Sequence, residues 1–337
     1  MFSLGVGLTS NCNLHCAHCY RDQDQIHNLT LVDIQKVCEN LEISSIGFGT
    51  GENGLNPAYF DILDYLHNRK IKLTLASNGY TLSITPDEML KYFGDVEFSV
   101  DFPDQARQDK FRGAGNWKKI MAGIERCRGL GIRVSILAVL MNLNYKDLGN
   151  IAGLAASFGS DFRVNVYQPM YTEEFSPNFE QYWEAFKTLF DHSEIISVTE
   201  PLVNTFLNLN GLNGTPCGGH SMRITPDGKL KACVYWPESN LTIDDLIEKK
   251  ETIVESPFFK QTHFTPKFCL DCEHVGNCGG GCAARRKLRG RFEEPDEYCP
   301  IYQGKAIQLK GHQSSAAKPL RTGSICTTIV RGCSVGP

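Results

Sequence analysis

Three cysteines near the N terminus are the residues best able to carry chemistry. Cys12, Cys16 and Cys19 have the spacing C-x3-C-x2-C. Three thiolates on one short loop can hold three irons of a 4Fe-4S cluster and leave the fourth iron without a protein ligand. An open position suits a metal site that reacts with a small molecule, as in catalytic zinc sites. The spacing alone also allows zinc, since His15 or His18 could supply the fourth ligand.

A second group of seven cysteines lies in the C-terminal third of the chain. Its members are Cys217, Cys233, Cys269, Cys272, Cys278, Cys282 and Cys299. The run C-x2-C-x5-C-x3-C is a strong metal-binding signal, with structural zinc on Cys269 and Cys272 as the alternative. A disulfide framework suits short secreted chains, whereas this chain has 337 residues and begins without a signal peptide. Cys38 and Cys127 lie in apolar helical patterns, which indicates inert buried thiols.

Alternating strand and helix patterns must position the first three cysteines. Short apolar or β-branched runs predict six strands, and a helical pattern follows each of them. The predicted strands are residues 3–8, 45–48, 72–76, 96–100, 133–140 and 162–167. Six βα units in a row predict an α/β fold with a partial (β/α)6 TIM-like barrel. Sites in such barrels gather at the carboxyl ends of the strands, and Cys12 closely follows the first of them.

The pattern changes near residue 205 and predicts three regions. Residues 1–205 form the barrel, and residues 206–307 form a small cysteine-rich α+β domain with a hairpin turn at Pro226-Asp227-Gly228. Residues 308–337 lack periodicity and are rich in Ser, Gly and Lys, which predicts a disordered tail. The tail cysteines, Cys326 and Cys333, lie among Thr, Ser and Gly. A substrate-like segment in cis is therefore the alternative for this tail.

Composition narrows the possible partners and location. The net charge is −4 and 42% of the residues are hydrophobic, which argues against nucleic acid or an anionic membrane as the main partner. The longest apolar run, residues 134–141, is far shorter than the roughly 20 residues that cross a bilayer. The sequence therefore predicts a cytoplasmic protein with no membrane and no nucleic-acid partner.

The N-terminal motif resembles that of a known enzyme superfamily. A C-x3-C-x2-C loop after the first strand of a βα repeat, with Tyr20 after the third cysteine, is similar to the radical SAM enzyme superfamily. The resemblance implies that Cys12, Cys16 and Cys19 are the catalytic cluster ligands and that S-adenosylmethionine (SAM) binds the open iron. It also implies that electron transfer to SAM yields a 5′-deoxyadenosyl radical, which abstracts hydrogen from the substrate.

Three further segments resemble the SAM-binding segments of that superfamily. Residues 47–53, GFGTGEN, resemble the Gly-Gly-Glu-Pro motif, with Thr50 in place of the first Gly and Asn53 in place of the Pro. Residues 77–79, SNG, match the usual Thr/Ser-Asn-Gly, and residues 99–101, SVD, resemble the ribose-side segment. The implied SAM-binding residues are Gly51, Glu52, Ser77, Asn78, Ser99 and Asp101.

The second cysteine group resembles the SPASM extension of peptide-modifying radical SAM enzymes. The resemblance implies two auxiliary 4Fe-4S clusters. The far group holds one of them and comprises Cys269, Cys272, Cys278 and Cys299; the near group, closer to the active site, comprises Cys217, Cys233 and Cys282. Fully ligated relatives have another cysteine where this chain has Gly211. We therefore expect an open or non-cysteine position at the near group, with His220 or a substrate atom as the candidate ligand.

The implied function is maturation of a ribosomally made peptide. An open iron suits a substrate thiolate, which favours thioether crosslinking. Sulfatase maturation is disfavoured, because Val234 follows Cys233 where that branch has Asp. Carbon–carbon crosslinking, epimerisation and a radical SAM reaction on a small molecule are the alternatives, and a non-catalytic zinc-binding interaction module is the alternative from another class.

The expected partners follow from the same resemblance. The substrate is a precursor peptide. The sequence has no flavin or nicotinamide fingerprint, so we expect electrons from an external flavodoxin or ferredoxin. The chain begins at the first predicted strand, so we expect leader recognition, if needed, from a separate protein.

Overall fold

Strands and helices alternate from the N terminus onward. This computed structural model describes residues 1–207, 217, 219, 221–237, 239–316 and 325–332. The strands are β1 (Phe2–Val6), β2 (Ile43–Phe48), β3 (Lys72–Ser77), β4 (Phe93–Ser99), β5 (Arg133–Leu140), β6 (Asp161–Val166), β7 (Ser193–Val198), β8 (Ser221–Ile224), β9 (Leu230–Lys231), β10 (His312–Gln313) and β11 (Thr328–Gly332). The helices are α1 (Leu31–Asn40), α2 (Tyr59–Asn68), α3 (Tyr80–Ile84), α4 (Asp87–Leu90), α5 (Gln105–Arg112), α6 (Asn116–Gly129), α7 (Leu148–Ser157), α8 (Phe179–Asp191), α9 (Pro201–Leu207), α10 (Ile243–Lys249), α11 (Pro257–Lys260), α12 (Val275–Cys278) and α13 (Ala283–Leu288).

One twisted sheet contains the strands, in the order β10-β7-β11-β6-β5-β4-β3-β2-β1-β8-β9. The strands β1 to β6 pair with their sequence neighbours in parallel, as expected for βα units. The predicted α/β partial barrel is confirmed. The strand β7 was not among the six predicted ones, because its short run S-E-I-I-S-V directly follows α8 and reads as part of that helical segment.

Side-chain caps fix where several helices begin. Thr30 and Asp33 form the capping box that starts α1, and Asn178 with Gln181 starts α8 in the same way. A cap of this kind stabilises a helix by about 1 kcal/mol. None of the helices in the described parts of the chain is long and apolar enough to cross a bilayer.

The cysteine-rich region continues the barrel sheet. The strands β8 and β9 form the predicted hairpin, and Gly228 at its turn has φ +75°, a conformation that favours glycine. The strand β8 also pairs with β1 in parallel. The sheet is therefore continuous across the domain boundary predicted at residues 205 and 206.

A buried charge network joins the cysteine-rich region to the barrel. The guanidinium of Arg285 donates to Asp296 at 2.6 Å and to Glu200, after β7, at 2.8 Å. The Tyr182 hydroxyl of α8 donates to the same Glu200 at 3.1 Å, and the Tyr182 ring stacks on Tyr298. Because the exposed fractions of Arg285 and Asp296 are 1% and 0%, removing either partner would leave a buried unpaired charge.

The C-terminal segment differs from the predicted disorder. The strand β10 pairs with β7, and β11 lies between β6 and β7, antiparallel to both. The run T-T-I-V is β-branched and fits a buried strand, and Val330 is fully buried. The run is too short to show periodicity and was predicted as part of the tail, whereas the structure places it in the sheet between β6 and β7.

Candidate functional site

A cavity of about 310 Å³ lies inside the barrel, toward the carboxyl ends of its strands. The three N-terminal cysteines and the predicted residues Gly51, Glu52, Ser77, Asn78 and Ser99 all line it. Residues predicted from four separate loops are thus brought together at one place. The cavity is where the parallel-strand rule expects a site.

The cysteine loop is held by Arg21 and by hydrogen bonds to its sulfurs. Arg21 donates to the carbonyls of Ser10, at 3.0 Å, and Leu14, at 2.9 Å. The backbone N–H of Leu14 and the side-chain amide of Asn78 each donate to Cys12 Sγ at 3.5 Å. Burial raises the pKa of the Cys12 thiol to about 11. Metal binding at this loop therefore has to release protons.

Glu52 is buried and organises the loop after β3. Its carboxylate accepts hydrogen bonds from Ser77 Oγ at 2.5 Å, from the Asn78 N–H at 3.0 Å and from the Thr81 N–H at 2.8 Å. Two of these bonds use Oε1, so Oε2 accepts one and retains capacity for another donor. Glu52 thus positions the predicted SAM-binding loop and can still accept from an ammonium group.

The two departures from the Gly-Gly-Glu-Pro motif have structural roles. Thr50 has φ +78°, which is rare for a β-branched residue. Its hydroxyl bonds the Tyr20 hydroxyl at 3.1 Å and contacts the guanidinium of Arg223 on β8. Asn53 is fully buried and accepts from the Leu8 N–H at 3.1 Å, which ties this loop to the end of the first strand.

Gly51 is a position where glycine is required. Its φ is +63°, and a Cβ there would lie 2.3 Å from the Thr9 carbonyl oxygen. The backbone of this loop therefore runs directly against the residues that lead into the cysteine motif.

Asp101 lies behind the cavity wall rather than on it. Its carboxylate accepts from Arg112 at 2.7 Å and lies 3.5 Å from His18 Nε2. Burial is the largest influence and raises the pKa of Asp101, but the charges of Arg112 and His18 and the hydrogen bonds from Arg112 and Val139 together lower it, and the net shift is downward. Arg112, rather than Asp101, lines the cavity, and Asp101 contacts Arg112 from behind the wall.

None of the arginines on the cavity wall was predicted from the sequence, and two of them lie on strands of the sheet. Arg223 lies on β8, and Arg163 lies on β6, where it pairs with Asp95 at 2.6 Å and Glu97 at 2.8 Å. Burial raises the pKa of Glu97. Charged residues inside otherwise apolar strand runs, such as R-V-N-V at 163–166, are the signal that could have found them.

The far group has the surroundings of cluster ligands. Its four thiols, Cys269, Cys272, Cys278 and Cys299, interact electrostatically with one another. The backbone N–H groups of Gly280 and Gly281 donate to the Cys278 sulfur. Both glycines have φ +88°, and a Cβ on Gly281 would lie 2.2 Å from Asp296 Cβ. The close turn therefore requires glycine at this point.

The near group adjoins the cavity and has a fourth thiol beside it. Cys217 hydrogen bonds to both Cys233 and Cys326, and the bond to Cys233 is the main cause that raises the pKa of Cys217. Cys282 interacts electrostatically with Cys326 and Cys233. The predicted vacancy at Gly211, the candidate ligand His220 and the tail residue Cys333 all lie outside the described residues.

The donor sets fit iron–sulfur clusters. Among the residues that the structure describes, no group of three or more His, Cys, Asp or Glu side chains is arranged to hold a single metal ion. In a 4Fe-4S cluster each thiolate binds a different iron, so the sulfurs need not converge on one point. Free thiols that accept backbone N–H hydrogen bonds, as Cys12 and Cys278 do, suit such ligands.

Comparisons with known proteins agree with this site. Residues 6–155 match the profile of the Radical SAM superfamily. The chain is 24% identical to the mycofactocin maturase MftC of Mycobacterium ulcerans (strain Agy99), over 93% of this chain and 90% of that protein. Two solved structures share the fold. Streptococcus suis SuiB has a TM-score of 0.69 at 17% identity, covering 88% of this chain and 76% of SuiB. Native anSMEcpe with bound AdoMet and Cp18Cys peptide has a TM-score of 0.68 at 20% identity, covering 89% and 94%.

Proposed function

We propose that this chain, which is a radical SAM enzyme, matures a ribosomally made precursor peptide. Its family implies a 4Fe-4S cluster and SAM as cofactors. When bound, they supply a 5′-deoxyadenosyl radical that removes a hydrogen atom from the substrate. Cys12, Cys16 and Cys19 are the proposed ligands of this cluster.

One observation carries the proposal: both cysteine regions contribute to the wall of the same cavity. Val234 and Tyr235 directly follow Cys233 of the near group, and they line the cavity together with the N-terminal cysteines. The ring of Tyr20, next to Cys19, meets the ring of Tyr235 edge-on at 5.5 Å. A substrate in this cavity would lie beside both regions.

The similar proteins support a peptide as the substrate. MftC is named a maturase, and anSMEcpe has been solved with AdoMet and a peptide bound together. The cavity of this chain has polar and apolar walls from many strands, which suits the backbone and side chains of a peptide.

The cavity residues have separate tasks in binding SAM. Arg112 presents a guanidinium to the cavity while Asp101 holds it in place, and this positive charge suits the carboxylate of SAM. Glu52 offers Oε2 to the ammonium group. Gly51 lets the backbone approach closely, and Ser99 adds a hydroxyl to the wall. Ser77 and Asn78 donate to Glu52, and Asn78 also donates to Cys12 Sγ, so they hold the loop after β3 against the cysteine loop.

We assign the remaining cysteines to two auxiliary 4Fe-4S clusters. The far group supplies four thiolates to one cluster, and the near group supplies three to the other. The N–H donors around the far group and the proximity of the near group to the cavity support this assignment. Electrons would come from an external flavodoxin or ferredoxin.

The bond formed in the peptide follows from the state of the near group. The predicted thioether subtype depends on an open position there for a substrate thiolate. Because Cys326 hydrogen bonds to Cys217 at that place, the thioether subtype loses its main support. Carbon–carbon crosslinking and epimerisation are then supported as well as thioether crosslinking.

The test uses anaerobically reconstituted enzyme, SAM, reduced flavodoxin and short peptides encoded beside its gene. We expect 5′-deoxyadenosine and a changed peptide. A crosslink makes the peptide lighter by two hydrogen atoms. Alkylation of free thiols distinguishes the two kinds of crosslink, because a thioether consumes a cysteine thiol and a carbon–carbon bond leaves it free to react. Epimerisation leaves the mass unchanged in water and adds one deuterium in heavy water.

The control is the Cys38→Ala variant, because Cys38 is a buried thiol of α1 outside all three groups. It should retain full activity. Production of 5′-deoxyadenosine with a small molecule but with no peptide would overturn the proposed substrate class. A colourless protein that carries stoichiometric zinc after anaerobic purification would favour the zinc-binding module instead.

A further inference from the structure

The C-terminal segment, residues 325–332, carries a cysteine into the near group. Cys326 hydrogen bonds to Cys217, which also hydrogen bonds to Cys233. Cys282 interacts electrostatically with both Cys233 and Cys326. Four thiols from four separate stretches of the chain are therefore gathered beside the cavity.

The segment is anchored on the C-terminal side of Cys326. Two hydrogen bonds join Thr327 and Thr199: the Thr327 N–H donates to the side-chain Oγ1 of Thr199, and the Thr199 N–H donates to the Thr327 carbonyl, both at 2.9 Å. The strand β11 is then paired on both edges, with β6 and with β7. Arg331 binds Asp161 at 2.8 Å. A strand held this way is part of the fold, and it fixes the position of Cys326.

The alternation along the segment turns Cys326 away from the cavity. Ile325, Thr327 and Ile329 line the cavity, and side chains of extended backbone point alternately to opposite sides. Ile325 also packs against the buried cluster that contains Cys233 and Cys282. Cys326 does not line the cavity, and its side chain interacts with Cys217 and Cys282 of the near group.

We propose that Cys326 is the fourth protein ligand of the cluster held by Cys217, Cys233 and Cys282. The inference rests on the proposed function only in assuming that the near group binds a 4Fe-4S cluster. Thiolates are the usual ligands of such clusters, and four of them complete the coordination. The cluster is then closed to substrate and serves electron transfer.

The alternative is that Cys326 is a substrate thiol in cis. A substrate has to leave its site or change within it, whereas this segment contributes a fully buried valine to the core and is paired on both edges. The anchoring therefore favours a permanent ligand over a substrate.

The test uses the full chain with Cys12, Cys16 and Cys19 all changed to alanine, so that only auxiliary clusters remain. We expect about 8 irons per chain, four for each cluster. Adding Cys326→Ala should alter the electron paramagnetic resonance spectrum of one reduced cluster. That spectrum should shift again when a small thiol such as 2-mercaptoethanol is added. The parent protein, in which only Cys12, Cys16 and Cys19 are changed to alanine, should show no spectral shift with the thiol.

Two further variants keep the test decisive. Cys326→Ser retains the size of the side chain and should also alter the spectrum of the same cluster, which guards against misfolding of the alanine variant. Cys38→Ala should leave the spectrum unchanged. A Cys326→Ser spectrum that superimposes on the parent spectrum, with iron content retained, would overturn the proposal.

Mass spectrometry distinguishes the substrate alternative. After turnover of the wild-type enzyme with SAM and reductant, the proteolytic fragment with Cys326 should keep its unmodified mass. A loss of two hydrogen atoms from this fragment would overturn the ligand assignment. Neither experiment uses a partner peptide, so failure of the proposed peptide maturation would be seen separately, as no change in any added peptide.

Discussion

The N-terminal group and the near group gather their thiols in opposite ways. The N-terminal group lies on one loop of eight residues, from Cys12 to Cys19, and its cysteines line the cavity together with proposed SAM-binding residues such as Glu52 and Asn78. The near group takes Cys217, Cys233 and Cys282 from separate segments, and Cys326 reaches it from the C-terminal strand.

This difference separates the tasks of the two sites. A three-thiol loop that faces a cavity leaves one iron for a small molecule, whereas four thiols from dispersed segments close a site. The open site is local in sequence and the closed site is assembled by the fold. Loss of a ligand should therefore stop SAM cleavage at the N-terminal group, while loss of an anchor should make Cys326 beside the near group more accessible.

The largest effect should come from removing a ligand of the open site. Cys16→Ala leaves two thiolates for the SAM-binding cluster, and formation of 5′-deoxyadenosine should fall to the level measured without enzyme. Iron should drop by about four per chain. Cys127→Ala, a buried thiol of α6, is the matched control and should retain activity. Retained SAM cleavage in Cys16→Ala would contradict the ligand assignment.

The next largest effect should come from breaking the buried charge network that joins the cysteine-rich region to the barrel. Arg285→Met leaves Asp296 and Glu200 buried without their cation, so we expect the free energy of unfolding to fall by about 3–5 kcal/mol, measured by urea denaturation. Arg291→Met removes an exposed ion pair with Glu294 and should change the free energy of unfolding by less than about 1 kcal/mol. Equal effects of the two changes would contradict the importance of the buried network.

A smaller effect should come from a residue that supports the open site. Asn78→Ala removes the amide that donates to Cys12 Sγ, and the loss of such a supporting bond lowers metal affinity or activity by about 10–100-fold. The rate of SAM cleavage and the reduction potential of the SAM-binding cluster should both change. A lower rate with an unchanged potential would indicate that Asn78 acts only on SAM.

The smallest effect should come from the anchor of the closed site. A Cβ on Gly332 would lie 2.4 Å from the Ala152 carbonyl oxygen, so Gly332→Ala should destabilise the protein by about 1–3 kcal/mol and raise the reactivity of Cys326 toward alkylating agents. Gly153→Ala in α7, where a Cβ meets nothing within 4 Å, should not raise that reactivity. Similar reactivity of Cys326 in both variants would contradict the anchoring role of β11.

The local parts of the fold and site could be predicted from the sequence. The parallel βα order, the hairpin β8–β9 and the helix α10 depend on short-range patterns, and the structure has all of them. The segments around Glu52 and Asn78 also follow their strands directly. Parallel pairing then brings them to one edge of the sheet without further information.

The remaining parts depend on long-range contacts. The segment of β11 has no pattern longer than five residues, and its place between β6 and β7 is set by a gap that only the folded barrel contains. The prediction that Asp101 binds SAM depends on the resemblance of its segment and on its position after β4, whereas its pairing with Arg112 depends on where α5 packs. Neither contact can be inferred from spacing along the chain.

The central claim is that the N-terminal group has the open iron and the near group does not. Electron paramagnetic resonance of the reduced protein tests it most directly, with SAM added to the wild type and a small thiol added to the variant that lacks Cys12, Cys16 and Cys19. We predict that SAM shifts one signal of the wild type and that the thiol shifts none in the variant. An unchanged wild-type spectrum with SAM, or a thiol-dependent shift in the variant, would contradict the claim.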